Sequence, residues 1–430
     1  MIFLQKRKTS ENLKLSSIFL CSALFFAFFS FFGVYEYEIY SLYWFILFFV
    51  YELIFFLGLK SGKFFRKKED DELEYDSDSS YSFELSDNGA TILLIACIIS
   101  ILCFVYFVFL YRSVIGSFAF GTYGSYTASS FEEGRTALEK LTLFLMQMGG
   151  EAAFLICAID KSDKHKVLKA LTHVTLFLPG LRYLLMGSRF SIAVEFLLLF
   201  FVKWPLLRAK LKFSIKARRE RRIIILAAVV LGIVFLYLFA SRAIYYTAVE
   251  RKSFNVGDMQ MKTFWRELYD DTNGRIDPIC TASDYLGEAP YVFSYFCKNK
   301  MPDQIYWGQF SFRSIMQIFN NLFHIGNGFS QISGEVAGGQ YAGMSWILIA
   351  DFGTIGSFIF AFLFGHVFAL IEEHRKRIRT CAVILPAIKV ICFFAPIYYF
   401  YVGRIDYTIL FCLILSPICL KNPSIVDNDF

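Results

Sequence analysis

Repeated runs of about 20 apolar residues limit the folds open to this chain more than any other feature, because a helix of that length has the reach of a bilayer's hydrocarbon core. Such runs cover 15 to 34, 40 to 59, 90 to 111, 141 to 159, 168 to 185, 190 to 202, 223 to 240, 346 to 371, 382 to 401 and 407 to 420. A soluble domain is excluded: 56% of the residues are hydrophobic, with 52 Phe and 25 Tyr, more apolar surface than a soluble domain carries. The expected fold class is an all-α, polytopic integral membrane protein of about ten transmembrane helices, give or take two, with one long extracytoplasmic loop containing an amphipathic helix.

Sidedness follows from Lys and Arg, which stay on the cytoplasmic side of short loops. Segments 1 to 14, 60 to 89, 160 to 169, 203 to 222, 371 to 380 and 421 to 430 hold 4, 5, 4, 9, 4 and 1 basic residues. The alternate short loops 35 to 39, 112 to 138, 186 to 189 and 402 to 406 hold 0, 2, 1 and 1, so the first set is expected inside, with both termini. The chain is then one transmembrane domain over 1 to 430. It has a charged cytoplasmic loop at 60 to 89, a basic one at 203 to 222 and a large extracytoplasmic loop at 241 to 345. Topology accounts for the net charge of +6, and no nucleic acid is expected. The first run is long and has no small-x-small site after it, so it is expected to stay as an anchor.

The cysteines add one expectation. Eight of ten lie in or beside the apolar runs, where Cys behaves as a small apolar residue. Cys280 and Cys297 are the two in the large loop, where an oxidising compartment permits a disulfide.

Polar groups inside the runs are the next candidates. Glu151 follows a Gly pair in the fourth run, Glu195 lies in the sixth and Lys389 in the ninth. An ionisable group in a span is expensive and faces a polar interior, either on a substrate or proton path or in a helix-to-helix bond, with Lys389 as a partner for either glutamate. Asp76-Ser77-Asp78 looks like a metal-holding acid pair, but its Ser/Asp/Glu-rich surroundings read as a solvated tether. The large loop has no His pair and no tight carboxylate spacing, so neither a metal nor a cofactor is expected.

In that loop, 306 to 324 has helical periodicity. Phe312, Ile315, Met316, Phe319, Leu322 and Phe323 share one side. Arg313, Gln317, Asn320 and His324 share the other, within a sector of about 60°. The apolar face suits the bilayer surface, and the polar stripe offers a cation, two amides and an imidazole to a sugar diphosphate; the pattern equally fits an interfacial helix whose wet side is merely polar. A Gly-rich stretch follows, with Gly326, Gly328, Gly334, Gly338 and Gly339, and its backbone can approach a ligand closely. Upstream, Gly187-Ser188-Arg189-Phe190-Ser191 is a tight outside turn, and Arg182 lies near the outer end of the preceding run. Arg suits phosphate because its planar fork bonds two oxygens at once, although either Arg also fits a snorkelling role.

Four stretches in this order resemble the Wzy-type oligosaccharide repeat-unit polymerases, also called O-antigen polymerases. They are the GSRFS turn at 187 to 191, the aromatic 285 to 307 region leading to Gly308-Gln309-Phe310, Asn327-Gly328-Phe329-Ser330, and Asp351-Phe352-Gly353 with Gly356. The likeness in topology runs from about Ala90 to Leu420. The resemblance implies a glycosyltransferase of the bacterial cytoplasmic (inner) membrane that joins undecaprenyl-diphosphate-linked oligosaccharides into O-antigen or capsular polysaccharide on the outer face. It implies no metal or nucleotide sugar, and as partners the lipid-linked glycan, membrane lipid, a chain-length regulator and a flippase. Mapped onto this chain, Arg189 and Arg313 would hold the diphosphate and His324 would act as base. Arg182, Arg242, Gln317, Asn320, Glu335, Asp351 and Arg404 are the further substrate-binding candidates. One pattern of the family departs: an Arg followed by ten residues and a Gly occurs only at Arg221 to Gly232, which begins on the cytoplasmic side. The alternatives are an O-antigen ligase, a lipid-linked oligosaccharide flippase or other transporter, and a membrane acyltransferase using His366.

Overall fold

A computed structural model describes residues 13–62, 83–115, 137–160, 162, 164–185, 190–210, 252–253, 257–302, 304–312, 316, 343–398 and 405–421. The protein is mostly helical. Among the described residues, five helices are long and apolar enough to cross a membrane: α1 (Leu15–Phe32), α2 (Leu42–Ser61), α3 (Asp87–Ile115), the helix through Leu141–Ile159, and α12 (Gly343–His374). The fourth is built from α4 (Ala137–Gln147), a π-helical turn at Met148–Ala152 and α5 (Ala153–Ile159). The run expected at 168 to 185 is two short helices, α6 (Lys166–Thr175) and α7 (Leu178–Leu185), divided just before Pro179. The run at 190 to 202 lies in α8 (Phe190–Lys210), and the last two are α13 (Arg379–Phe394) and α14 (Ile405–Cys419). The run at 223 to 240 lies outside the described residues.

Hydrogen bonds sort the helix ends into two sets. At one end of the bundle the Leu15 N–H donates to the Glu372 carboxylate at 3.2 Å, Lys421 N–H donates to the Glu84 carbonyl at 2.9 Å, Arg379 donates to the Leu420 carbonyl, and Lys164 pairs with Asp87 at 3.0 Å. The described parts of the basic segments 1 to 14, 60 to 89, 160 to 169, 371 to 380 and 421 to 430 therefore lie together. At the opposite end a small antiparallel sheet forms, in the order β1 (Tyr35–Tyr37), β3 (Gly257–Met261), β2 (Lys252–Ser253). Its register pairs Tyr35 with Met261 and Tyr37 with Met259, so the short connection after α1 is stitched to the large loop. The sheet was not foreseen, since three residues carry no legible alternation.

The loop continues into α9 (Thr263–Asp271), α10 (Asp277–Gly287) and α11 (Ala289–Asn299). Val34 N–H donates to Ser283 Oγ at 3.0 Å and the Tyr291 hydroxyl to the Ser30 carbonyl at 3.0 Å, which hold α10 and α11 over α1. Phe293 is fully buried against Trp44, Phe48 and Tyr51 of α2, so α11 is part of the core rather than a covering strap.

The most extensive packing between described helices is that of α2 with α12, which run parallel. A Cβ on Gly58 would overlap the Phe362 carbonyl and one on Gly365 the Phe55 carbonyl, so this approach needs a glycine on both sides. Tyr51 stacks on Phe358 at 4.4 Å between ring centroids and shares a 2.7 Å hydrogen bond with Ser357. His366 Nδ1 is bound to Ser61 Oγ at 2.7 Å, so the histidine pins two helices.

Two expectations are corrected. Cys280 and Cys297 do not form a disulfide: each is buried in a helix packing face, Cys280 in α10 and Cys297 in α11. Burial pushes the Cys297 thiol well above its ordinary value, which keeps it protonated. The eighth run is also not one continuous helix. Gly353 has φ 68° and ψ 176°, a backbone state open in practice to glycine alone, and it divides α12 into a buried half-helix over 343–352 and a span from 354 onward.

Candidate functional site

The break in α12 organises the first of two candidate regions. Every residue from Gly343 to Asp351 is buried, so this half-helix crosses the interior of the loop end instead of facing lipid. A half-helix that stops inside the protein leaves its last carbonyls without intrahelical donors. Here the loop segment supplies them: Tyr306 N–H donates to the Ala350 carbonyl at 3.1 Å and Trp307 N–H to the Asp351 carbonyl at 2.8 Å. The Asp351 side chain completes the clamp by accepting from Phe310 N–H at 3.0 Å and Ser311 N–H at 2.6 Å. Turning the chain to make these bonds puts Trp307 at φ 52° and Gly308 at φ 85°. Phe352 stacks on Phe360 at 3.6 Å beneath the break.

Both Asp351 oxygens are thus occupied by backbone donors, and the carboxylate acts as a structural acceptor in this arrangement. Residues 307–312 form turns, where the sequence periodicity suggested the start of a helix over 306 to 324. Arg189, Arg242, Arg313, Gln317, Asn320, His324, Glu335 and Arg404 lie outside the described residues.

The second region is a buried polar cluster among α7, α8, α14 and the π-turn. Gly149 and Gly150 let the π-turn press against neighbouring backbone: a Cβ on Gly149 would overlap the Ala96 carbonyl, and one on Gly150 would lie 2.8 Å from the Thr175 carbonyl. π-Turns inside helices are often found at functional sites. This one turns Glu151 into the bundle, where the Thr408 hydroxyl donates to it and also lies 3.2 Å from Gln147 Oε1. Glu195 accepts the Gly180 N–H, and its charge and that of Glu151 are close enough to interact. Glu151 in turn feels Asp406 at the start of α14. Arg182 is 1% exposed, with its guanidinium carbon 4.6 Å from the Phe107 ring centroid.

The structure therefore places Glu151 and Glu195, which sequence gave as separate candidates, in one cluster, with Arg182 two residues from the Gly180 that binds Glu195. Lys389 does not join it: its electrostatic partner is Glu372 and its amine lies 6.0 Å from the Phe201 ring. Gly180 has no room to spare, since a Cβ there would overlap the Glu195 carboxylate. Gly180→Ala is expected to cost about 1–3 kcal/mol by overpacking, read as a lower unfolding midpoint in detergent.

At the loop end, outside the spans, a third polar group is buried. Tyr37 donates to Asp284 Oδ1 at 2.9 Å and stacks on Tyr291 at 4.7 Å. Burial, and after it the charges of Asp284 and Glu288, push the Tyr37 phenol well above its ordinary value, so it remains a donor. Among the described residues no group of three or more His, Cys, Asp or Glu is placed to hold a metal ion.

Sequence reasoning missed Glu52, a carboxyl in the middle of α2, whose signal was its isolation in the apolar run 40 to 59. It also missed the helix break, although a Gly just past a helical stretch is a common stop signal. Compared with family models, with curated proteins and with solved structures, the chain matches none of them.

Proposed function

We propose that this protein polymerises undecaprenyl-diphosphate-linked oligosaccharide repeat units on the outer face of a bacterial cytoplasmic membrane, without a metal or a nucleotide sugar. The observation that supports this reading best is the clamp. Two of the stretches that resemble the polymerases, Gly308-Gln309-Phe310 with the Trp307 before it and Asp351-Phe352-Gly353, are about 40 residues apart and meet through the 306–311 backbone. The clamp holds residues 306–311, which lie just before Arg313 in the sequence.

A glycosyl diphosphate brings its own leaving group, so the protein has to steady the developing diphosphate charge and orient or deprotonate a sugar hydroxyl. In this reading Arg189 and Arg313 do the first, with Arg182, Arg242 and Arg404 as reserves, and His324 does the second. Polymer length on a gel, from cells lacking the native enzyme and supplied with each variant at matched membrane abundance, is the test. Arg313→Lys is expected to lose long product because an ammonium lacks the bidentate fork. His324→Ala should lose turnover while lipid-linked substrate still binds, and Gln317→Ala should cost only about 1 kcal/mol. Long product from both Arg313→Lys and His324→Ala would move the chemistry away from this stripe.

A transporter is the second reading, favoured by the broken, buried half-helix and the buried acids, both of which recur in membrane carriers. Polymer made by purified protein in detergent, where there are no two sides to transport between, separates the two.

A further inference from the structure

Glu52 sits midway along α2, 8% exposed, in a helix whose one other charged residue is Lys60 at its far end. It lines a small, partly open crevice beneath the start of α11, walled by Phe26 and Ser30 of α1, Phe48 of α2, Pro290 of α11 and Pro396 in the turn after α13. Of the residues lining that crevice from these four elements, Glu52 alone titrates. Its Oε1 has no hydrogen-bond partner, and no described cation pairs with it. The hydroxyl among the described lining residues is already committed, since Ser30 Oγ donates to the Phe26 carbonyl at 3.1 Å. An ionised carboxylate walled by phenyl rings and prolines, with neither cation nor donor, is strongly disfavoured, whereas the neutral acid needs only a modest polar contact. The lining is too poor in oxygen for a metal ion, which leaves the proton as the ligand that fits.

We infer that Glu52 is a proton-binding site, holding its proton in this crevice while α1, α2 and α11 pack as described. The inference holds whichever reaction the loop end serves. A hydrophobic carbodiimide reports on such a group. The acid's proton moves to a carbodiimide nitrogen, the carboxylate oxygen adds to the central carbon, and the O-acylisourea rearranges to an N-acylurea that contains every atom of both reactants.

The full-length protein in lipid nanodiscs is treated with dicyclohexylcarbodiimide, or with a charged water-soluble carbodiimide, and the peptide carrying Glu52 is examined by mass spectrometry. The expected result is an adduct on Glu52 at least tenfold more abundant with the hydrophobic reagent and absent from E52Q. No adduct on Glu52, or equal labelling by the charged reagent, would overturn the inference, since the second result would make Glu52 an ordinary carboxylate in water. Thermal unfolding gives an independent reading. E52Q presents a neutral group of the same shape, so it is expected to unfold at or above the wild-type temperature; a marked fall would reveal an ionised, partnered carboxylate and overturn the inference equally.

Discussion

Asp351→Ala is expected to destabilise the protein by roughly 3 kcal/mol and, under the polymerase function proposed above, to abolish long polymer. The substitution removes the two side-chain acceptors of the clamp, and hydrogen bonds to a charged group contribute about 1.5–3 kcal/mol each. It leaves the buried Phe310 N–H and the Ser311 N–H without a partner, at the same position where Tyr306 and Trp307 bind the end of the half-helix. Asp351→Asn keeps one side-chain oxygen as an acceptor and turns an amide NH2, itself a donor, toward the other N–H, so it should recover only part of the loss. Thermal unfolding in detergent and polymer length, measured on the same membranes, separate a clamp from a catalytic group. For a clamp, product falls in step with the unfolding temperature across Asp351→Asn and Asp351→Ala. A variant that unfolds like the wild type and makes no product would instead give Asp351 a direct part in the chemistry.

Gly365→Leu is the second large effect, expected at about 3 kcal/mol or more. The Cβ alone would overlap the Phe55 carbonyl and lie 2.9 Å from the Leu59 nitrogen, both backbone atoms of α2 that cannot rotate away. Separating α2 from α12 also strains the Tyr51 to Ser357 and Ser61 to His366 hydrogen bonds, which depend on the same close approach. In a membrane, helices gain little from burying apolar surface against each other, so close packing between small residues carries much of their association. Ile359→Leu on the same helix, at a position 58% exposed, is the matched control and should change nothing measurable. Accumulation of folded protein in the membrane, together with its unfolding temperature, checks both. A Gly365→Leu protein as stable as the control would show that α2 and α12 can shift apart freely.

How the two helices meet was not written in the hydropathy of either. Both runs were legible as spans, but an apolar run of 20 residues presents much the same profile on every side. Gly58 and Gly365 are two glycines in a phenylalanine-rich background, and nothing in their spacing selects one as the partner of the other. The same holds for the polar candidates. Glu151 and Glu195 stand out in sequence because charge in a span is rare, but their neighbourhood depends on a π-turn and two glycine contacts that bring α3, α6 and α7 against the fourth span. Lys389 looked equally suited to either glutamate, and packing of α13 put it beside Glu372.

The sequence by itself determined that the chain belongs in a membrane, where most of its helices run and which loops share a side. These follow from composition averaged over about 20 residues, and a bilayer tolerates no other placement for such segments. Only the tertiary structure decided that α12 breaks at Gly353, that Asp351 clamps the large loop, that Cys280 and Cys297 stay apart and that Glu52 faces a crevice. Each depends on groups brought together from positions far apart in the chain, and a hydropathy average carries no information about which distant backbone N–H will meet a given carboxylate.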